Sequence, residues 1–285
     1  MPDNPHMNIR LRFKQTLLHG LLLVGLLAGL LAWAGTASAQ TERSYSLLVH
    51  PIFTPDQAAL VYQPLIDFLN ESTPYRFELR TARDFHRYWL DIRRGTMPDL
   101  VIEDAHLIAL RMARHDFIPL VRAAQPTHFS LLTTDMSELD LADFIGRSIS
   151  SMPAPSLGYL VLASWFTNPM QQPLLQSSAA SWLDAVEIVF AMEADAAIVP
   201  HNLAARYVNM NQVAISTEFP NATLAASPGL PPAVRDAVRD ALLRLHETPE
   251  HFGALHELDI LQFVAASEDE YLGLERWLDW VFAGY

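Results

Sequence analysis

Four short segments hold the side chains best suited to grip a ligand. "HPIFT" supplies His50, Phe53 and Thr54, and "EDAH" supplies Glu103, Asp104 and His106. "SMPAPSLGY" supplies Ser151, Pro155, Ser156, Leu157, Gly158 and Tyr159, and "PHN" supplies His201 and Asn202. Hydroxyls and unpaired backbone N–H groups at a helix start favour an anion, because free donors and the positive dipole end point the same way. An imidazole in a first helical turn tends to stay neutral and to serve as donor or metal ligand, which describes His106. The same residues have plainer readings: Asp104 and Ser156 as N-caps, His50 as a half-exposed strand end, Phe53 as a core plug.

Two other chemistries can be weighed on the same residues. His50, Glu103 or Asp104, His106 and His201 have the donor types of a zinc or iron site. No close HxH or HExxH spacing supports one, so metal or metal-chelate binding stands as an alternative below the anion reading, and no cofactor is expected. Catalysis is not expected either. The chain has no Cys, no G-x-S-x-G elbow, no Walker loop and no G-x-G-x-x-G. Glu103 and Asp104 are adjacent, so on a strand they point to opposite faces and do not form a catalytic pair.

The elements that must position these segments alternate. "SYSLLVH" reads as a buried strand, and "DQAALVYQPLIDFLNEST" as an amphipathic helix with Ala59, Leu60, Tyr62, Leu65, Ile66 and Leu69 on one face. "YRFELRTA" is a strand, "ARDFHRYWLDIRRG" a helix closed by Gly95, "PDLVIED" a strand and "AHLIALRMARHD" a helix. Two strand-like runs follow in "FIPLVRAAQPTHFSLLTTD", then a short helix in "LDLADFIG" and a strand in "RSISSM". "LGYLVLASWFT" is a helix, "MQQPLLQSSAASWLDAVEIVFAMEA" further helical material, and "ADAAIVPHN" a strand running into a polar turn. "PPAVRDAVRDALLRLHETPEH" is an amphipathic helix opened by two prolines, and the tail "EDEYLGLERWLDWVFAGY" reads as helical. Strand–helix alternation of this kind implies α/β architecture with mostly parallel sheets flanked by helices. Ligands of such sheets sit beyond the carboxyl ends of the strands, and the four segments are strand-to-helix turns of that kind.

Residues 1–39 read as a signal peptide. Arg10, Arg12 and Lys14 precede the apolar run "LLHGLLLVGLLAGLLAWAG", and Ala37-Ser38-Ala39 gives the small-residue site, with cleavage expected after Ala39. No Cys follows, so the exported protein is not a lipoprotein, and the periplasm is its expected location. Losing three basic residues and Asp3 takes the net charge from −13 to −15. That acidity argues against nucleic acid and anionic membranes as partners, so an anion must be recognised locally. All fixed positive charges beyond residue 39 are Arg, which suits bidentate contacts to carboxylate or phosphate. His86, His115, His128, His246, His251 and His256 read as surface residues.

The succession of segments resembles the phosphate, phosphite and phosphonate ABC-transporter periplasmic binding proteins, the PhnD-like group. The likeness runs from "VYQPLIDFLNEST" to "HDFIPLVR", then through "LADFIGRSISSMPAPSLGYL", "EADAAIVP" and "LAASPGLPPAVRDAVRDALLRL". It implies a type 2 periplasmic-binding fold with a ligand cleft between two lobes. Lobe 1 would be residues 41–128 plus 222–285 and lobe 2 residues 129–221, with crossings in "HFSLLTTD" and "AISTEFPNATL". The implied protein is a non-enzymatic, monomeric receptor that closes on a small ligand, an oxyanion by resemblance, and presents it to a membrane permease. A sensor-type protein serving a membrane histidine kinase is the alternative. Relatives carry an S-T-S-G turn where this chain reads Pro155-Ser156-Leu157-Gly158. Losing two hydroxyls from a charged ligand costs about 1.5–3 kcal/mol each, so an altered, less polar ligand is expected.

Overall fold

The computed structural model describes residues 43–280. The expected signal peptide and its cleavage after Ala39 lie outside them.

Strand β1 (Ser44–Val49) buries Tyr45, Leu47 and Val49, the period-2 pattern of a strand with one face on a core. Helix α1 (Pro55–Ser72) opens with Thr54 in a capping box with Gln57. Its buried face is Ala58, Tyr62, Leu65, Ile66, Phe68 and Leu69. Ala59 and Leu60, expected on that face, are exposed. The helix begins at Pro55, and its first buried position is Ala58, one residue earlier than the apolar run suggested. β2 (Arg76–Thr81), α2 (Phe85–Arg93), β3 (Leu100–Glu103), α3 (Ala105–His115) and β4 (Ile118–Ala123) follow. Gly95, at φ 73°, takes the left-handed position just beyond α2.

The chain then crosses to a second sheet, made from β5 (Phe129–Thr133), β6 (Ser148–Ser150), β7 (Leu174–Gln176), β8 (Ala196–Pro200) and β9 (Asn211–Ile215). Helices α4 (Leu157–Trp165), α5 (Trp182–Phe190) and the single turn α6 (His201–Ala204) connect them. Part of the stretch expected to be helical is instead the edge strand β7. The chain returns through β10 (Thr223–Ala226), α7 (Pro232–Arg244), α8 (Phe252–His256) and β11 (Phe263–Ala265). The tail forms 3-10 turns at Glu268–Glu270 and Leu274–Trp280, tighter than the α-helix its pattern suggested.

The sheets run β11-β4-β10-β3-β1-β2 and β7-β6-β8-β5-β9. β1, β2 and β3 are parallel, as are β6, β7 and β8. The strand that follows each crossing is inserted antiparallel: β5 between β8 and β9, and β10 between β3 and β4. A strand arriving from the other lobe, with no crossover helix to turn it, enters its sheet from the opposite end. The crossings pair with each other, Thr127 and Phe219 exchanging backbone hydrogen bonds of 3.0 and 2.8 Å. One core fills the outer side of the first sheet, around Leu47, Ile66, Ile102 and Leu242. Another joins Val101, Ile108 and Phe117 of the first lobe to Phe129, Leu131, Ile198 and Val199 of the second.

Candidate functional site

At the end of β3 the pleat sends Glu103 and Asp104 in opposite directions, as adjacent strand residues must go. Glu103 is fully buried and takes Arg111, eight residues on in α3. Arg111 Nε donates to both carboxylate oxygens at 2.7 and 2.8 Å, and Nη2 lies 2.7 Å from Oε1. Tyr88 of α2 donates its hydroxyl to the same carboxylate. The planar Arg111 guanidinium also lies over Phe117, 5.2 Å from its ring centroid. Burial and the Glu103 charge both push the Tyr88 hydroxyl well above its ordinary value. The triad is a strut under the β3–α3 corner.

Asp104 stands at the N-cap of α3 in extended conformation, yet its side chain makes no cap hydrogen bond to that helix. The carboxylate instead faces the backbone N–H of Leu157, at the start of α4 in the other lobe, which favours its charged form. His50 Nδ1, at the end of β1, lies 3.6 Å from Asp104 Oδ2. Burial, opposed by coupling to His106 and by the Leu157 N–H and reinforced by Glu103, raises Asp104 to about 6. Burial also lowers His50 to about 4 against the pull of Glu103, and lowers His106 to about 4 against Asp104.

His106 is completely buried, and its Nε2 lies 2.9 Å from the Pro155 carbonyl. A carbonyl only accepts, so Nε2 carries the proton, and in the neutral ring Nδ1 is a bare acceptor. His50 Nδ1, Asp104 Oδ2 and His106 Nδ1 are all buried without a hydrogen-bond partner among the described residues. Unpaired buried polar atoms are costly, and three around one corner mark a place built for something other than packing.

Opposite this corner, α4 is apolar on every side, with Leu157, Gly158, Leu160, Val161 and Leu162 buried. Its cap is Ser156, whose Oγ accepts from the Tyr159 N–H at 3.4 Å and donates to the Met152 carbonyl at 3.3 Å. A Cβ on Gly158 would lie 2.7 Å from Trp182 Cη2 and 3.0 Å from Phe129 Cδ1. Glycine is therefore needed to bring the helix against its own sheet. Leu160 packs with Tyr88, Trp89, Ile92, Leu107, Leu110 and Leu278 of the first lobe.

The sequence candidates thus divide. Asp104 and His106 meet the backbone at the start of α4, where Ser156, Leu157, Gly158 and Tyr159 lie, and His50 stands behind Asp104. Phe53 packs edge-on against Tyr62 with centroids 6.2 Å apart, and Thr54 is occupied in capping α1. Ser151 Oγ is spent on the Met152 carbonyl at 2.8 Å. His201 Nδ1 lies 3.0 Å from Ser130 Oγ, and its ring stacks on His128 at 4.2 Å. Asn202 Nδ2 donates to Asp259 Oδ2 of the first lobe at 2.8 Å, beside Arg206 at 3.2 Å. Sequence reasoning passed over Tyr88, Arg111 and the Pro155 carbonyl. An arginine amid the apolar "HLIALRMA" was the one available signal for the first two. Among the described residues no group of three His, Cys, Asp or Glu is arranged to hold a metal. A cavity of about 370 Å³ lies elsewhere, between α3 and the tail, lined in part by Met112, Asp116, Phe117, Glu268 and Tyr271.

Two helix-flanked sheets joined by paired crossings, with polar side chains sealed where they meet, define a two-lobed solute-binding protein. The family model for the ABC transporter, phosphonate, periplasmic substrate-binding protein matches residues 47–271. The chain belongs to that family. Among solved structures, PhnD1 from Prochlorococcus marinus in complex with methylphosphonate is 12% identical with a TM-score of 0.71, over 83% of this chain and 97% of that one. A binding protein component of an ABC phosphonate transporter from Pseudomonas aeruginosa is 16% identical with a TM-score of 0.69, over 83% and 85%. XAC2383 from Xanthomonas citri bound to ATP is 18% identical with a TM-score of 0.65, over 84% and 99%. These likenesses speak for the fold. Comparison with curated proteins finds no match.

Proposed function

We propose that this protein captures a small phosphonate-type oxyanion between its lobes, in the periplasm, and delivers it as a monomer to an ABC permease. The lobes are residues 41–128 plus 222–285 and residues 129–221. The observation that carries this reading is the Asp104 carboxylate facing the Leu157 N–H: the start of α4 already receives an anionic group from the opposite lobe. When the lobes part, a ligand oxyanion takes that position. His50, Asp104, His106 and the backbone N–H groups of Leu157 and Gly158 form the contact set, with Tyr159, whose N–H is given to the Ser156 cap, beside them. Ser156 caps the same turn, whereas Phe53, Thr54, Ser151, His201 and Asn202 are engaged with other partners in this structure and would reach the ligand only by exchanging them.

Binding here involves no chemistry on the ligand. The Ser156 hydroxyl at the helix start is engaged by Met152 and Tyr159, and among the described residues it makes no hydrogen bond to a base that would activate it. Thermal unfolding with methylphosphonate, phosphite and phosphate at saturation tests the proposal. A ligand at a hundred times its Kd stabilises by about 2.7 kcal/mol, a shift of several degrees. No stabilisation by any of the three would overturn it.

A further inference from the structure

The corner between the lobes offers an unequal mixture of hydrogen-bonding groups. On the α4 side there are backbone N–H donors, and neither "SMPAPS" nor Leu157–Trp165 brings a charged side chain. On the first-lobe side there are acceptors: Asp104 Oδ2 and the bare Nδ1 of His106, both buried and unpartnered among the described residues. His50 at the end of β1 and Tyr62 of α1 flank the same carboxylate. Arg111, the guanidinium closest along α3, is held by Glu103 on the other side of the strand.

A ligand seated there must satisfy both halves. Its oxyanion faces the N–H groups, and another of its oxygens faces Asp104 and His106. If that second oxygen is bare, it meets a carboxylate and a lone pair in a water-poor space with no cation to offset the repulsion. If it carries a proton, it donates a charge-assisted hydrogen bond.

We propose that this site selects oxyanions that keep a hydroxyl proton, such as a hydrogen-phosphonate monoanion, and rejects sulfonates, with Asp104 and His106 as the specificity-determining acceptors. This rests on the oxyanion reading of the site. It assigns the selection to first-lobe side chains, where the α4 turn itself, lacking hydroxyls at Pro155 and Leu157, supplies none.

Methylphosphonate and methanesulfonate are matched tetrahedral probes that differ in the hydroxyl. Calorimetric titration of the wild-type protein at pH 7 should show methanesulfonate binding at least roughly tenfold more weakly, one charge-assisted hydrogen bond's worth. Asp104→Asn replaces one acceptor oxygen by an N–H donor, so the preference should shrink several-fold. Equal binding of the two probes by the wild type overturns the inference and leaves the oxyanion reading standing. Binding of neither overturns the inference, and overturns the oxyanion reading as well when phosphite and phosphate also fail to bind. A folded Asp104→Asn protein that keeps the full preference also overturns the inference, and the wild-type comparison decides alone should that variant not fold.

Discussion

His106 Nε2 donates to the Pro155 carbonyl at 2.9 Å, tying the first turn of α3 to the backbone that leads into α4. Both residues are buried, so replacing the imidazole leaves the carbonyl without a donor. His106→Ala should cost about 1–3 kcal/mol. Urea denaturation reads this directly, and an unchanged midpoint would mean that the bond does not form in solution.

Gly158 sets how closely α4 approaches its sheet. Gly158→Ala puts a methyl 2.7 Å from Trp182 Cη2, against a side chain that is itself buried. Overpacking of this kind costs about 1–3 kcal/mol, even though alanine favours helix. Combining it with Trp182→Leu should restore part of the loss that the two single variants would sum to. Strict additivity in a double-mutant cycle would refute the contact.

The buried pair of Glu103 and Arg111 should be far more sensitive to losing one member than to losing both. Arg111→Met leaves a carboxylate in the core and should cost about 3–5 kcal/mol, with Tyr88 as its remaining partner among the described residues. Glu103→Leu with Arg111→Met should be milder than Arg111→Met alone. A double variant less stable than the single one would show that the strut contributes more than it costs.

Stability should rise with pH across the mildly acidic range through opposing contributions at one corner. Burial places His50 and His106 at about 4, below the ordinary 6.5, so the unfolded chain holds two protons that the folded protein refuses. The stability from these rings is lost as pH falls from about 6.5 through about 4. Burial places Asp104 at about 6, above the ordinary 3.8, so its contribution has the other sign and is lost as pH rises through about 6. The net of one proton gives this corner a slope of about 1.4 kcal/mol per pH unit between these values. Asp104→Asn removes the opposing group and should steepen the slope towards about twice that. Parallel stability–pH curves for wild type and variant would contradict the burial of Asp104.

Much of the alternation was legible in the sequence because short apolar runs bounded by Pro, Gly and polar residues have few other uses. The slip along α1 arose because Ala59 and Leu60 suit either face, and only the start at Pro55 decides which way they turn. Asp104 and Ser156 were legible as caps, and both occupy cap positions. That Asp104 declines its own helix and faces another could not be read, since Leu157 lies fifty-three residues on. His201 meets Ser130 because β5 and β8 pair antiparallel, a register that the sequence leaves open. The Glu103 triad draws on α2 and α3 at once, and its unremarkable spacing gave nothing to find.

The apolar belt of α4 bears on timing. Opening the lobes wets Leu157 and Leu160, which lie in cores that both lobes complete, so the open form carries a hydration penalty that the empty protein cannot recover. A ligand must then wait for a rare excursion, and its apparent affinity is reduced by the fraction of molecules open at any moment. On the proposed mode of capture, the apolar contacts of α4 therefore set the ceiling on how readily solute is taken up.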